Sequence, residues 1–105
     1  MPVVRITPCE ASHLLAEDDV DLVDVREPQE WATGRIPGSR HVPLGRLMRE
    51  PARHLRRDRV IFVCAHGVRS LTAAAVATHQ GYEKVFSLDG GVDAWAAAGY
   101  PVERS

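Results

Sequence analysis

Residues 60–70 read Val60-Ile61-Phe62-Val63-Cys64-Ala65-His66-Gly67-Val68-Arg69-Ser70. The first four are an unbroken apolar run, which fits a central parallel strand covered on both faces. A cysteine ends the run, and a short loop with one glycine and one arginine follows. From Arg69 to Gln80 the sequence reads as a helix, with Leu71, Ala75 and Thr78 on one side and Gly81 as its C-terminal cap. The stretch is therefore strand, loop and helix, with a thiol at the strand's carboxyl end.

The same alternation extends in both directions. Val3–Ile6 is a short strand. Thr7-Pro8-Cys9-Glu10 opens a helix, with Thr7 as N-cap, Pro8 at the first position and Glu10 completing a capping box. Leu14 and Leu15 would face the core. Leu22–Val25 is a strand with Asp24 as an oddity inside it. Glu27–Thr33 is a short helix carrying Trp31 and stopped near Gly34. Pro37-Gly38 marks a turn before a strand near His41-Val42. Leu44–Arg57 holds helical turns that restart at Pro51. Val85–Leu88 is the last strand, and Gly91–Ala98 is a helix carrying Trp95, ended by Gly99 and Pro101. Strands and helices in alternation, joined by short connections, imply an α/β domain with a mostly parallel sheet. In such sheets ligands bind beyond the carboxyl ends of the strands, which directs attention to Cys64.

The loop after Val63 suits an anionic sulfur. Successive backbone N–H groups can point inward and form an anion cradle, and the helix terminus adds partial positive charge. Gly67 permits the backbone torsions of a tight ring. Arg69 adds a full positive charge. Together these favour thiolate over thiol, and they would equally hold an incoming anion. A buried cysteine that merely ends a core strand is commonly inert, but an inert strand end needs none of these features together.

Composition bounds the remaining possibilities. The 105 residues are 45% hydrophobic and 26% charged, as expected for one compact domain over residues 1–105 rather than a disordered chain. A net charge of -1 argues against bulk binding to nucleic acid or an anionic membrane. A local basic cluster of Arg46, Arg49, Arg53, His54, Arg56, Arg57 and Arg59 reads as a solvated face in preference to a docking patch for an acidic partner. Neither a secretory signal nor a run of about 20 apolar residues is visible, so a cytoplasmic location is expected. Cys9 and Cys64 are then free thiols. The histidines are scattered, and no metal site is expected.

Five segments resemble the rhodanese family, in the family's order and over nearly the whole chain. Asp24-Val25-Arg26-Glu27 with Glu30-Trp31 is similar to its DxRE…EW segment, and Gly34 to Ser39 to its GHIPGA segment. Cys64 to Ser70 is similar to its CxxGxRS active loop. Leu88-Asp89-Gly90-Gly91 with Ala94-Trp95 is similar to LxGGxxAW, and Gly99-Tyr100-Pro101-Val102 to GYPV. Arg35 departs from the usual histidine of the second segment. The resemblance implies a central parallel sheet of about five strands flanked by helices. It also implies that Cys64 accepts sulfane sulfur from a donor such as thiosulfate, holds it as a persulfide, and passes it to cyanide, a thiol or a partner protein. Ala65, His66, Gly67, Val68, Arg69 and Ser70 would bind the substrate, without cofactor or metal.

Two other readings stay open. The domain could be a sulfur-delivery or redox-sensing module that docks one protein partner. It could also be a cysteine phosphatase or arsenate reductase. Phosphatase loops place five residues between cysteine and arginine, whereas here there are four, Ala65 to Val68. The shorter ring suits one sulfur better than a tetrahedral oxyanion.

Asp24 reads as structural, accepting hydrogen bonds from loop amides or from Arg69. Arg26 with Glu30 reads as an ion pair bracing the same side. His66 either tunes the loop's field or is exposed filler. Cys9 reads as a packing residue, Trp31 and Trp95 as core or rim residues, and Asp89 as a turn residue before Gly90-Gly91, in a loop that could border the active site.

Overall fold

The computed structural model describes residues 3–17, 19–56 and 58–104. Among these, β1 (Val4–Ile6), β2 (Asp21–Asp24), β3 (Arg40–His41), β4 (Arg59–Val63) and β5 (Lys84–Leu88) form one sheet in the order β1-β5-β4-β2-β3. Every pairing is parallel. The apolar run is therefore the central strand, as its composition demands. Val60, Ile61, Phe62 and Val63 are fully buried.

Side chains alternate across β4, so its two faces feed two cores. Val60, Phe62 and Cys64 join Val23, Val25, Leu47, Ala73, Ala74 and Ala77. That layer is covered by α3 (Leu44–Arg49), α4 (Pro51–His54) and α5 (Arg69–His79). Ile61 and Val63 join Ile6, Ala11, Leu22, Leu88, Val92 and Trp95 beneath α1 (Pro8–Leu15) and α6 (Gly91–Ala97).

The local signals act where expected. Thr7 Oγ1 accepts the Glu10 amide while Glu10 accepts the Thr7 amide, closing a capping box over α1. A short helix α2 (Pro28–Trp31) follows β2, again with a proline in its first turn. Gly81 follows α5 with φ +96°, the left-handed turn that ends it.

Three expectations change. The buried face of α5 is Ser70, Ala73, Ala74 and Ala77, while Ala75 is exposed and Leu71 and Thr78 are half-buried. In α1 it is Ala11 that is buried, with Leu14 and Leu15 packed only partly against the core. Cys9 is exposed on the surface of α1, not packed. Within the basic cluster, Arg46, Arg49, Arg53 and Arg56 are exposed, and Arg59 pairs with Glu17 at 2.5 Å. Arg57 lies outside the described residues.

Candidate active site

Cys64 follows the last residue of β4, and α5 begins at Arg69, so residues 64–69 turn above the carboxyl edge of the sheet. Gly67 makes the turn with φ +97°. Its amide donates to Cys64 Sγ at 3.1 Å, and the amide of Ser70, in the first turn of α5, approaches Sγ at 3.4 Å. Ser70 Oγ lies 3.6 Å from the same sulfur and 2.8 Å from Ser87 Oγ. Both serines are fully buried, and Cys64 is 1% exposed.

This geometry sets the ionisation of the thiol. Burial pushes the Cys64 thiol up, because a charge is costly away from water. The hydroxyl and amide of Ser70 and the amides of Gly67 and His66 act against it, and together they hold the thiol below its ordinary value. The site stabilises the anion relative to that of a free thiol.

The carbonyls of the loop are turned the other way. Cys64 O accepts the Val92 amide at 2.8 Å, and Ala65 O accepts the Asp93 amide at 3.3 Å. The otherwise unpaired N–H groups of the first turn of α6 thus satisfy the loop's carbonyls. This leaves the loop amides free to face sulfur. The approach is close: a Cβ on Gly91 would lie 2.1 Å from Cys64 O, and one on Gly67 would lie 3.0 Å from the Gly90 nitrogen.

Arg69 is placed differently from a free loop cation. Its guanidinium grips the Glu30 carboxylate in two bonds, Nη1 to Oε1 at 2.6 Å and Nη2 to Oε2 at 2.8 Å. The hydrogen bond from Arg69 holds the Glu30 carboxyl down to about 2, against a smaller opposing effect of burial. Arg69 is in turn raised above its ordinary value, first by that hydrogen bond, then by the charges of Glu30, Cys64 and Glu27.

The expected pairing of Arg26 with Glu30 is therefore corrected. Arg26 pairs with Asp24, its Nε and Nη2 donating at 3.0 and 2.8 Å, and its own amide donates to Asp24 Oδ1 at 3.0 Å. Asp24 takes these bonds from Arg26, not from loop amides or Arg69. The remaining guanidinium donors reach the carbonyls of Glu30 at 3.2 Å and Gly34 at 2.7 Å. The buried Asp24–Arg26 pair thus ties the end of β2 to α2, and α2 presents Glu30 to Arg69. Among the described residues, the pair's hydrogen bonds go to each other and to the carbonyls of Glu30 and Gly34, so both reach the loop through Glu30.

His66 is an exposed loop residue whose Nδ1 lies 3.0 Å from Asp93 Oδ2 on α6. Val68 stands out at the crest, 72% exposed. Ala65 is half-buried and contributes its carbonyl. A cleft of about 330 Å³ opens on the α6 side, with Arg26, Gly34, Asp93, Tyr100 and Arg104 in its wall. Trp31 stacks on His41 at 4.8 Å with the Arg35 guanidinium over its ring, while Trp95 is buried and donates to Pro101 O at 2.8 Å. Asp89 sits in the turn after β5 and pairs with Arg5. No three His, Cys, Asp or Glu side chains converge as metal ligands among the described residues.

Three contributors were not legible beforehand. Glu30 lies 39 residues from the arginine it holds. Ser87 is one polar letter within the run Val85–Leu88. The loop at Gly90-Gly91 was expected to border the site, but its spacing did not show that Gly91 abuts the cysteine's carbonyl.

Fold and loop together define a parallel α/β protein with a cysteine held in an amide cradle. The rhodanese-like domain model matches residues 7–98. The chain belongs to the rhodanese-like domain family. It is 39% identical over 101 residues to the thiosulfate sulfurtransferase GlpE of Pseudomonas paraeruginosa, covering 96% of this chain and 90% of the relative. The crystal structure of a rhodanese-related protein from Thermoplasma volcanium superposes with a TM-score of 0.86 at 31% identity, covering 97% of this chain and 99% of that one. A Rhodopseudomonas palustris protein of unknown function, described as a possible tyrosine phosphatase, has a TM-score of 0.81 at 32% identity, over 96% of this chain and 85% of that one.

Proposed function

We propose that this protein is a thiosulfate sulfurtransferase that carries sulfur on Cys64 as a persulfide. The observation that carries the reading is the cradle: a thiol favoured as thiolate by the Gly67 and Ser70 amides and the Ser70 hydroxyl at the carboxyl edge of the central strand. The similarity to thiosulfate sulfurtransferase GlpE supports thiosulfate as donor.

The chemistry is a double displacement. The Cys64 thiolate attacks the outer sulfur of thiosulfate, a new S–S bond forms, and the S–S bond of the donor breaks with its electron pair leaving on sulfite. The persulfide anion keeps the charge that the thiolate held, so the same fixed donors serve both states. An acceptor, cyanide or a thiolate, then attacks the terminal sulfur, and the electron pair returns to Cys64. No proton need move in either step, so no general base is required. Arg69 adds positive field beside the cradle, moderated by Glu30. Residues 65–70 bind the donor, with their amides as its hydrogen-bond donors.

The physiological acceptor is a thiol or a partner protein, and a reducing, cytoplasmic setting suits the two free cysteines. Comparing kcat/KM for thiosulfate, mercaptopyruvate and glutathione persulfide tests the donor. Thiosulfate should be the best of the three. Turnover with glutathione persulfide but not with thiosulfate would favour a sulfur-delivery module instead.

A further inference from the structure

The strand β5 carries a buried serine, Ser87, in a layer whose other residues are mostly apolar. Ser87 is fully buried and lies two residues after Val85, so it points to the face where Phe62, Cys64, Ala73 and Ala74 pack. A hydroxyl there costs stability unless it is hydrogen-bonded. Its side-chain partner among the described residues is Ser70 Oγ, at 2.8 Å, and Ser70 Oγ in turn stands 3.6 Å from Cys64 Sγ. Three polar atoms thus form a row from β5 through the first turn of α5 to the thiol.

We propose that Ser87 is a positioning residue whose hydroxyl donates a hydrogen bond to Ser70 Oγ and so leaves the Ser70 hydroxyl to donate to Cys64 Sγ. The argument is an accounting of protons. Each hydroxyl has one proton to donate. With a thiolate at Cys64, Ser87 O–H points to Ser70 Oγ and Ser70 O–H points to the sulfur anion, and both protons are used. In the reverse direction, Cys64 S–H points to Ser70 Oγ and Ser70 O–H to Ser87 Oγ. The Ser87 proton at the end of the row then has no partner. The row is complete with the anion, so Ser87 biases the site towards it while acting only through Ser70. No bond to sulfur is made or broken by Ser87.

The charged groups around the thiol are each paired apart from this row. Arg69 is held by Glu30, Asp24 by Arg26, and His66 faces Asp93. None of them hydrogen-bonds Ser87. The inference rests on Cys64 as the reactive thiol, but its test does not require sulfur transfer.

The experiment is the pH dependence of iodoacetamide labelling, read residue by residue by peptide mass spectrometry, with exposed Cys9 as internal control. In Ser87→Ala the Cys64 midpoint should move to higher pH, leaving the thiolate-to-thiol ratio at a fixed pH roughly three- to tenfold lower. Cys9 should not move. On a Ser70→Ala background, adding Ser87→Ala should shift the midpoint no further, because the intermediary is gone. An unchanged midpoint in Ser87→Ala, or an equal shift on both backgrounds, would overturn the proposal. Should the alanine variant melt too early to assay, Ser87→Val suits a strand better and reads the same quantity. Loading the same proteins with thiosulfate separates the two readings. Failure of the wild type to take up sulfur, with the midpoint still shifted in Ser87→Ala, contradicts sulfur carriage alone. Sulfur uptake by the wild type, with no midpoint shift in Ser87→Ala, contradicts the role of Ser87 alone.

Discussion

The main-chain amide of Val92 donates to the carbonyl oxygen of Cys64 at 2.8 Å. This one bond explains why the loop can face its amides inward: its carbonyls are answered from behind by the first turn of α6. It also explains Gly91, which has φ +62° and whose missing Cβ would lie 2.1 Å from that same oxygen. Gly91→Ala combines backbone strain with a clash against main chain, which costs at least about 2 kcal/mol. The melting temperature should fall by roughly 10 °C or more, and sulfur transfer should be lost. Gly38→Ala is the control, because φ is +84° there but a Cβ would meet nothing within 4 Å. It should cost only the strain and leave activity intact.

Arg69 and Glu30 should have opposite effects on an anionic donor. Arg69→Ala removes the positive charge and should lower kcat/KM for thiosulfate roughly ten- to hundredfold. Glu30→Gln removes the counter-charge and should lower KM for thiosulfate, by roughly two- to fivefold. Steady-state kinetics on both variants, with a neutral donor in parallel, checks this. Equal losses in both variants and for both donors would mean that the pair only braces the loop.

The same pair predicts a pH signature in stability. The Glu30 carboxyl titrates at about 2 in the folded protein, below its ordinary value of 4.5. A depressed carboxyl stabilises the fold above the unfolded value, and that contribution is lost as pH falls towards the folded one. The difference in melting temperature between wild type and Glu30→Gln should be constant above about pH 5 and shrink between pH 4.5 and 2. A difference that does not change across that window would contradict the pairing. The pair is partly exposed, so the difference will be modest.

Loop length should separate this protein from phosphate chemistry. The native protein should show essentially no Cys64-dependent turnover of an aryl phosphate. Inserting one glycine between Gly67 and Val68 should abolish sulfur transfer, because it moves the Ser70 amide and hydroxyl out of reach of Sγ. Substantial native phosphatase activity that disappears in Cys64→Ser would overturn the assignment.

Much of this was legible in the letters alone, for physical reasons that can be named. The apolar run Val60–Val63 had to be covered on both faces, and it is the central strand. Thr7, Pro8 and Glu10 encode a helix start through neighbours three residues apart, and the capping box is there. The loop at Cys64 is local too, so its glycine, cysteine and helix start read directly. What depends on distance in sequence did not read. The buried face of α5 is made of alanines, whose small side chains give little periodic signal, so Leu71 drew the eye to the wrong side. Charge partners are chosen by folding: Arg26 has a carboxylate two residues before it, Asp24, and another four residues after it, Glu30, and the fold pairs it with Asp24. Cys9 looked like core because free cysteine is usually buried, yet it faces outward on α1.

The central claim is that Cys64, and not Cys9, carries the sulfur. The two differ in the structure: Cys64 is buried in its cradle, whereas Cys9 is exposed on a helix. The most direct measurement is the intact mass of protein treated with thiosulfate and analysed without reductant. Wild type and Cys9→Ser should each gain the mass of one sulfur atom and lose it on addition of cyanide, and Cys64→Ser should gain nothing. A Cys64→Ser protein that still takes up one sulfur at the wild-type level would contradict the mechanism.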